Sequence, residues 1–434
     1  MGAAALAGCA PNGKPPLPPG ELLGMSHALG HRLRDGNFPA ASETRKTGVV
    51  IVGGGISGLS AAWRLANAAV DDFLVLEMES EPGGNSRAGR SPLVAYPWGA
   101  HYLPLPPREA VHVRELLAEL GVLQGDPAAE KPIYDERFLC ATPQERVYRN
   151  GLWEDGLLPH RGLDAGEREQ QRRFHERMEE LKQARGSDGR RAFAIPMELS
   201  SRDPEWRELD RVSFSEWLTS NGFTAPSLHW LANYATRDDY GTAHTQTSAW
   251  AGLHYFACRN GEAANAAADA VLTAPDGNAW LARGLAEKAG GRILSDALVW
   301  RIEEGKSSVA VDVLSGTKTV RIEARQLIWA GPAFLLPHVW PAMPGGLKAA
   351  AQAGDYSPWL TANLHLSDFP EERHGAPPSW DNVLYGSQGL GYVVATHQLI
   401  RRRLSGTVFT WYRALHDVAP AEGRRLLLET PRET

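Results

Sequence analysis

Three cysteines in 434 residues, Cys9, Cys140 and Cys258, are too few and too scattered for a zinc site or a disulfide scaffold. Long apolar runs are scarce as well. The longest uncharged stretch, Leu327 to Leu347, would reach across a bilayer, but Pro332, Pro337, Pro341 and Pro344 break any helix through it. An excess of basic side chains is also missing. Lys and Arg number 45 against 51 Asp and Glu, a net charge of −6, which excludes phosphate-driven nucleic-acid binding as the default. No Ser-His-Asp motif, P-loop or internal repeat occurs, so acyl transfer and nucleotide hydrolysis have no support. What is present is a chain with 43% apolar and 22% charged residues, near globular averages, long enough for two or three domains.

The most informative stretch begins at Gly48-Val49-Val50-Ile51-Val52, a β-branched run of the kind that forms a fully buried parallel strand. It leads straight into Gly53-Gly54-Gly55-Ile56-Ser57-Gly58. Gly53, Gly55 and Gly58 fill a G-x-G-x-x-G pattern: the first permits the tight turn, the second lets backbone approach a pyrophosphate, and the third lets helix and strand pack closely. Leu59, Ala62, Leu65 and Ala66 give the following helix an apolar face, and its N-terminus, with Ser57, offers unpaired N–H groups to an anion. A second strand, Phe73 to Leu76, ends in Glu77, 19 residues beyond Gly58, where a ribose-binding carboxylate belongs. An acid there accepts from a ribose 2′-OH and repels a 2′-phosphate, so FAD or NAD fits and NADP does not.

Glu81-Pro82-Gly83-Gly84-Asn85-Ser86-Arg87 and Trp98-Gly99-Ala100-His101-Tyr102-Leu103 follow. From Val49 to Leu103 the chain resembles the opening of the flavin amine oxidase, protoporphyrinogen oxidase and phytoene desaturase superfamily, in which a second glycine pair after the ribose acid contacts FAD. A second likeness covers Pro275 to about Leu366. There Pro275-Asp276-Gly277-Asn278 opens a helix ending at Gly290-Gly291, and Val299 lies on a strand resembling the one whose backbone meets the adenine end of FAD. A hairpin from Val309 to Val320 then leads to Leu327-Ile328-Trp329-Ala330-Gly331-Pro332, which resembles the return to the sheet.

The resemblance implies an α/β fold. A Rossmann-like FAD-binding domain, a parallel sheet with helices, is discontinuous over 47–107 and 275–340; an α+β substrate domain takes 108–274 and 341–434; and 1–46 is a flexible N-terminal segment. It further implies an FAD-dependent oxidoreductase taking a hydride from a C–N or C–H bond of a small molecule, with oxygen or a quinone as electron acceptor. The cofactor residues it points to are Gly53, Gly55, Ser57, Gly58, Glu77, Gly84, Arg87 and Val299. His101 and Tyr102 are catalytic candidates for tuning or proton handling; a buried, hydrogen-bonded histidine is the alternative.

Three departures matter. Asn85 replaces the usual arginine, leaving Arg87 as its substitute. The stretch Tyr356 to Leu364 carries no lysine of the kind that holds a water beside the flavin in amine oxidases, which favours the desaturase and protoporphyrinogen oxidase pattern. Nothing from Gly406 to Thr434 matches the closing Gly-Asp segment, so the chain reads as shortened at both ends.

Elsewhere the signals are weaker. Trp230 to Tyr240 and Trp250 to Phe256 are aromatic-rich. Asp238, Asp239 and Tyr240 are either substrate residues receiving a cationic group or a helix end in which the two acids pair with Arg237 and the aromatics are core; the helix end is the favoured reading. His27 and His31 have helical spacing but no third ligand, so a solvated face is expected. Leu6-Ala7-Gly8-Cys9 resembles the lipobox of bacterial lipoproteins, which implies a lipid on Cys9, membrane attachment and a periplasmic location. An Ala-rich tail on a cytoplasmic protein is the alternative. In an oxidising compartment Cys140 and Cys258 could pair; two buried free thiols are the expectation. The rival functions are a non-redox flavin enzyme such as a sugar-nucleotide mutase, and a catalytically silent FAD-binding lipoprotein.

Overall fold

A computed structural model of the chain describes residues 17–432; Cys9 and the lipobox lie outside them. Helix α1 (His27–Asp35) anchors through Leu33 and precedes strand β1 (Ala41–Val52). The apolar run expected to be buried is so: Val50 and Ile51 are fully enclosed. The strand nevertheless starts at Ala41 rather than Gly48. Its first half is polar and exposed and is held by pairing with Thr319 to Glu323, so no hydrophobic period announces it.

Helix α2 (Ile56–Asn67) and β2 (Phe73–Leu76) follow, and β2 lies parallel to β1 with Val52 opposite Leu76. Next come β3 (Glu145–Arg149), β4 (Leu152–Asp155) and three helices, α3 (Ala165–Gln183), α4 (Pro226–Tyr240) and α5 (Ala249–Ala257). Phe174 of α3, Leu228 of α4 and Leu253 of α5 join Phe214 in a common core, which is why their aromatic and aliphatic residues recur at helical spacing.

Helix α6 (Ala279–Ala289) packs against α2 and ends at Gly290 in the left-handed conformation, φ 62°. Strands β5 (Ile293–Leu294), β6 (Ala297–Glu304), β7 (Val309–Ser315) and β8 (Lys318–Trp329) complete the first sheet, in the order β5-β2-β1-β8-β7-β6. Pairing is parallel from β5 to β8 and antiparallel through the β8-β7-β6 meander. The expected hairpin is β7 with the start of β8. The end of β8 sets Leu327, Ile328 and Trp329 opposite Val50, Ile51 and Val52. Strands from two distant stretches thus bring their carboxyl ends to one edge, the position where open α/β sheets bind ligands.

A second six-stranded sheet is built from β3, β4 and four later strands, β9 (Trp359–Leu366), β10 (Asp381–Leu384), β11 (Tyr392–Val394) and β12 (Thr407–Ala414), in the order β9-β12-β11-β10-β3-β4. Its register sets Asp381 directly beside Glu145, in the one parallel pairing of that sheet. Helix α7 (Pro420–Glu429) follows. Cys140 and Cys258 are both free, Cys258 buried and Cys140 half-buried. His27 and His31 lie near the start of α1, and no group of three metal-binding side chains occurs among the described residues. No helix among those residues is long and apolar enough to cross a membrane.

Candidate functional site

The turn from β1 into α2 is made of backbone because side chains would collide there. Gly53 has φ 108°, and a Cβ on Gly58 would stand 1.8 Å from the Gly53 carbonyl oxygen. Gly54, an unspecified position in the fingerprint, is equally constrained: its Cβ would lie 2.8 Å from Glu77 Oε2. Gly55 caps α2 without any side-chain hydrogen bond, and the first turn holds no acidic residue, so its N–H groups remain free for an anion. Gly84, with φ 55°, approaches so closely that its Cβ would lie 3.2 Å from Gly55 Cα. Side chains at these glycines would fill the cradle.

Glu77 is 8% exposed; Oε2 accepts from the Gly54 N–H at 2.6 Å and Oε1 from the Glu79 N–H at 2.8 Å. These backbone donors fix the carboxylate while leaving lone pairs for ribose hydroxyls. Ser57 is exposed on the first turn of α2. Arg87 reaches the Gly84 carbonyl at 3.4 Å, pairs with Glu79 at 3.4 Å and lies over Trp98. Val299 points into the core of the first sheet beside a register shift, which leaves only its backbone available to a ligand. The glycines, the uncapped helix and the fixed carboxylate fit a dinucleotide.

A cavity of about 2490 Å3 opens from this cradle, with Gly84, Asn85 and Arg87 in its wall. His101, Tyr102, Glu145, Asp238, Arg259 and Asp381 line the same cavity, with the Ala100 N–H donating to the Asn85 carbonyl at 3.0 Å. The Tyr102 hydroxyl donates to Asp238 Oδ2 at 3.2 Å and accepts from Arg259 at 3.0 Å, while Arg259 also donates to Asp239 at 2.8 Å. Burial pushes the Glu145 carboxyl up to about 7, with the neighbouring Asp269 adding to the effect. Burial likewise raises Asp381 well above the carboxylate range, reinforced by Glu145 beside it. These shifts are the cost of holding like charges together in a poorly hydrated space. The Glu145 side chain has no hydrogen-bond partner among the described residues, whereas Asp381 accepts from Tyr234 at 3.4 Å. The His101 ring stacks on Tyr412, centroids 4.6 Å apart, and burial pulls it down to about 4, so the ring is neutral near pH 7.

Two expectations need correction. Asp238 and Asp239 do not pair with Arg237. That guanidinium is 2% exposed and donates to the carbonyls of Asn233, Ser387 and Gln388, tying α4 to the second sheet, while the two acids turn to Tyr102 and Arg259. Tyr240 is not in the cavity wall: its hydroxyl donates to the Ala251 carbonyl at 2.8 Å, joining α4 to α5. Arg259, Glu145, Asp381 and Tyr412 escaped the sequence reading altogether. No spacing links them: the second sheet carries Glu145, Asp381 and Tyr412, and Arg259, two residues beyond α5, joins through Tyr102 and Asp239. The strand without a lysine, β9, does form cavity wall.

Residues 51–120 match the model of an NAD(P)-binding Rossmann-like domain. Among solved structures, the chain is similar to a putrescine oxidase bound to putrescine, with 17% identity over 90% of this chain and 79% of that one and a TM-score of 0.62. It is also similar to cyclohexylamine oxidase from Brevibacterium oxydans, 16% identical over 89% and 78% with a TM-score of 0.59. A conjugated-linoleic-acid-producing fatty acid isomerase from P. acnes gives 16% identity over 88% and 81%, TM-score 0.60. No curated protein matches the sequence. The likenesses establish the fold: a Rossmann-like nucleotide-binding sheet joined to a second sheet, as in the amine oxidases.

Proposed function

We propose that the protein is an FAD-dependent oxidoreductase that takes a hydride from a C–N or C–H bond of a small molecule carrying a protonated nitrogen. The observation that carries this reading is the continuity of the cavity: one space runs from Gly84 and Arg87 at the dinucleotide cradle to Glu145, Asp238 and Asp381. FAD supplies the hydride acceptor when bound. Gly55, Gly84 and the α2 N-terminus hold the pyrophosphate, and Glu77 holds the ribose. A cation bound between Glu145 and Asp381 would favour their ionised forms over the protonated forms that burial favours, with Trp380, Tyr102 and Tyr412 offering ring faces beside them. At about 7, Glu145 is better matched to proton transfer near neutrality than His101 at about 4, whose stacked ring positions Tyr412.

In this reading Lys182, a lysine of the cavity wall, takes no part, since Glu179 holds it at 2.6 Å. The test is direct. Purified protein should be yellow and release FAD on denaturation, and Glu77→Gln should weaken FAD binding by roughly 1–3 kcal/mol through loss of charge-assisted hydrogen bonds. Recovery of NAD alone, or of no dinucleotide, would overturn the reading. We place the protein on the extracytoplasmic side, anchored by a lipid on Cys9; a Cys9→Ala variant that stays in the membrane fraction would refute that.

A further inference from the structure

We infer that residues 17–26 form the outer wall of the cofactor channel, with Leu22, Leu23 and Met25 contacting the bound dinucleotide; this rests on the FAD reading above. The segment lies along the cavity, and Pro18 to Met25 are part of its lining. It is tied down at both ends. At one end the Ser26 backbone N–H and hydroxyl donate to the two oxygens of Glu79, at 2.8 and 3.0 Å. At the other, the Pro18 carbonyl accepts from the Arg432 guanidinium.

The first tie is made to the cofactor loop itself. Glu79 follows the ribose acid by two residues and pairs with Arg87, and Met25 Sδ in turn accepts from Arg87 Nη2 at 3.4 Å. The Glu79 and Arg87 side chains are only 8% and 12% exposed, so the strap meets a fixed surface there.

Between the ties the large apolar side chains of the strap stay open. Leu22 is 67% exposed, Leu23 56% and Met25 49%. Three large apolar side chains left open to a cavity on one short segment are unfavourable unless an apolar ligand buries them. The same cavity carries a second uncovered apolar set on β9, namely Trp359, Leu360 and Leu364. The apolar side chains of the strap and of β9 therefore suit the ring faces and apolar edges of a bound dinucleotide.

Two measurements on the full-length protein test this. Glu21 lies in the strap and is a site for a Glu-specific protease, so cleavage there is followed by mass spectrometry with and without saturating FAD. In parallel, FAD release after dilution is followed by recovery of flavin fluorescence in wild type and in the Leu22→Ser/Leu23→Ser double variant. Both side chains are exposed, so the apo form should melt unchanged. We expect FAD to slow cleavage after Glu21 by about tenfold or more, and the double variant to release FAD about tenfold faster. Equal cleavage with and without FAD, together with unchanged release, would overturn the strap while leaving the cofactor reading in place. Failure to bind FAD at all would overturn the cofactor reading, and the strap with it.

Discussion

The two parts of the site are built by opposite means. The nucleotide end is backbone: Gly53, Gly55, Gly58 and Gly84 make it by having no side chain, and its carboxylate, Glu77, is fixed by two backbone N–H groups. The acidic end is side chain: Tyr102, Glu145, Asp238, Arg259 and Asp381 come from five separate segments, Tyr102 hydrogen-bonding both Asp238 and Arg259 while Glu145 and Asp381 stand side by side as mutually repelling acids. A site of the first kind is broken by adding an atom. One of the second kind is broken, or relaxed, by removing a charge.

The largest effect should follow from adding an atom at the first end. Gly58→Ala forces a Cβ to within 1.8 Å of the Gly53 carbonyl oxygen, a distance no rotamer change relieves. We expect a loss of about 3 kcal/mol or more in stability together with loss of FAD, read by denaturant melts and flavin content. A fully loaded variant of normal stability would show that the turn is looser than described.

Removing a charge at the second end should act in the reverse sense. The Glu145 carboxyl is raised from an ordinary 4.5 to about 7 by burial and by Asp269. The folded protein therefore binds more protons than the unfolded chain between those values, and stability falls as pH rises through that window. Glu145→Gln should then stabilise the protein by about 1–3 kcal/mol at pH 8 and by almost nothing at pH 4.5, read as melts at the two pH values. Equal stability of variant and wild type at pH 8 would mean that the carboxyl is well solvated. The smallest effect belongs to Tyr240→Phe, which should lose about 0.5–1.5 kcal/mol with its hydrogen bond to Ala251 and leave ligand binding unchanged. A selective loss of ligand affinity there would return Tyr240 to the site.

The same contrast explains what was legible in the sequence. The strand, glycines, helix, strand and acid from Gly48 to Glu77 are contiguous, and each residue type is dictated by local geometry, so order and spacing alone expose them. Even so, the pattern left Gly54 unspecified, because its constraint comes from Glu77 folding back across the turn. The first half of β1 was hidden for a related reason: Ala41 to Lys46 owe their conformation to β8, far away in sequence. At the acidic end, Asp238 and Asp239 are visible as residues, either receiving a cationic group or pairing with Arg237, the nearest cation in sequence, and sequence proximity favours the latter. Tertiary packing spends that arginine on backbone carbonyls instead. Glu145 and Asp381 become neighbours only through the β3–β10 register, for which a single chain carries no local sign.

The central claim is that a flavin held by the glycine cradle faces the carboxylates of the acidic end. It is tested most directly by anaerobic titration of the FAD-loaded protein with a protonated α,ω-diamine, following flavin absorbance in wild type and in Glu145→Gln. The account predicts that the diamine perturbs or bleaches the wild-type flavin band. It also predicts that half-saturation in the variant needs about 10- to 100-fold more diamine, the scale of one lost charge-assisted contact. Identical titrations for the two proteins, or a flavin that ignores every diamine yet is reduced by a neutral polyene, would contradict it.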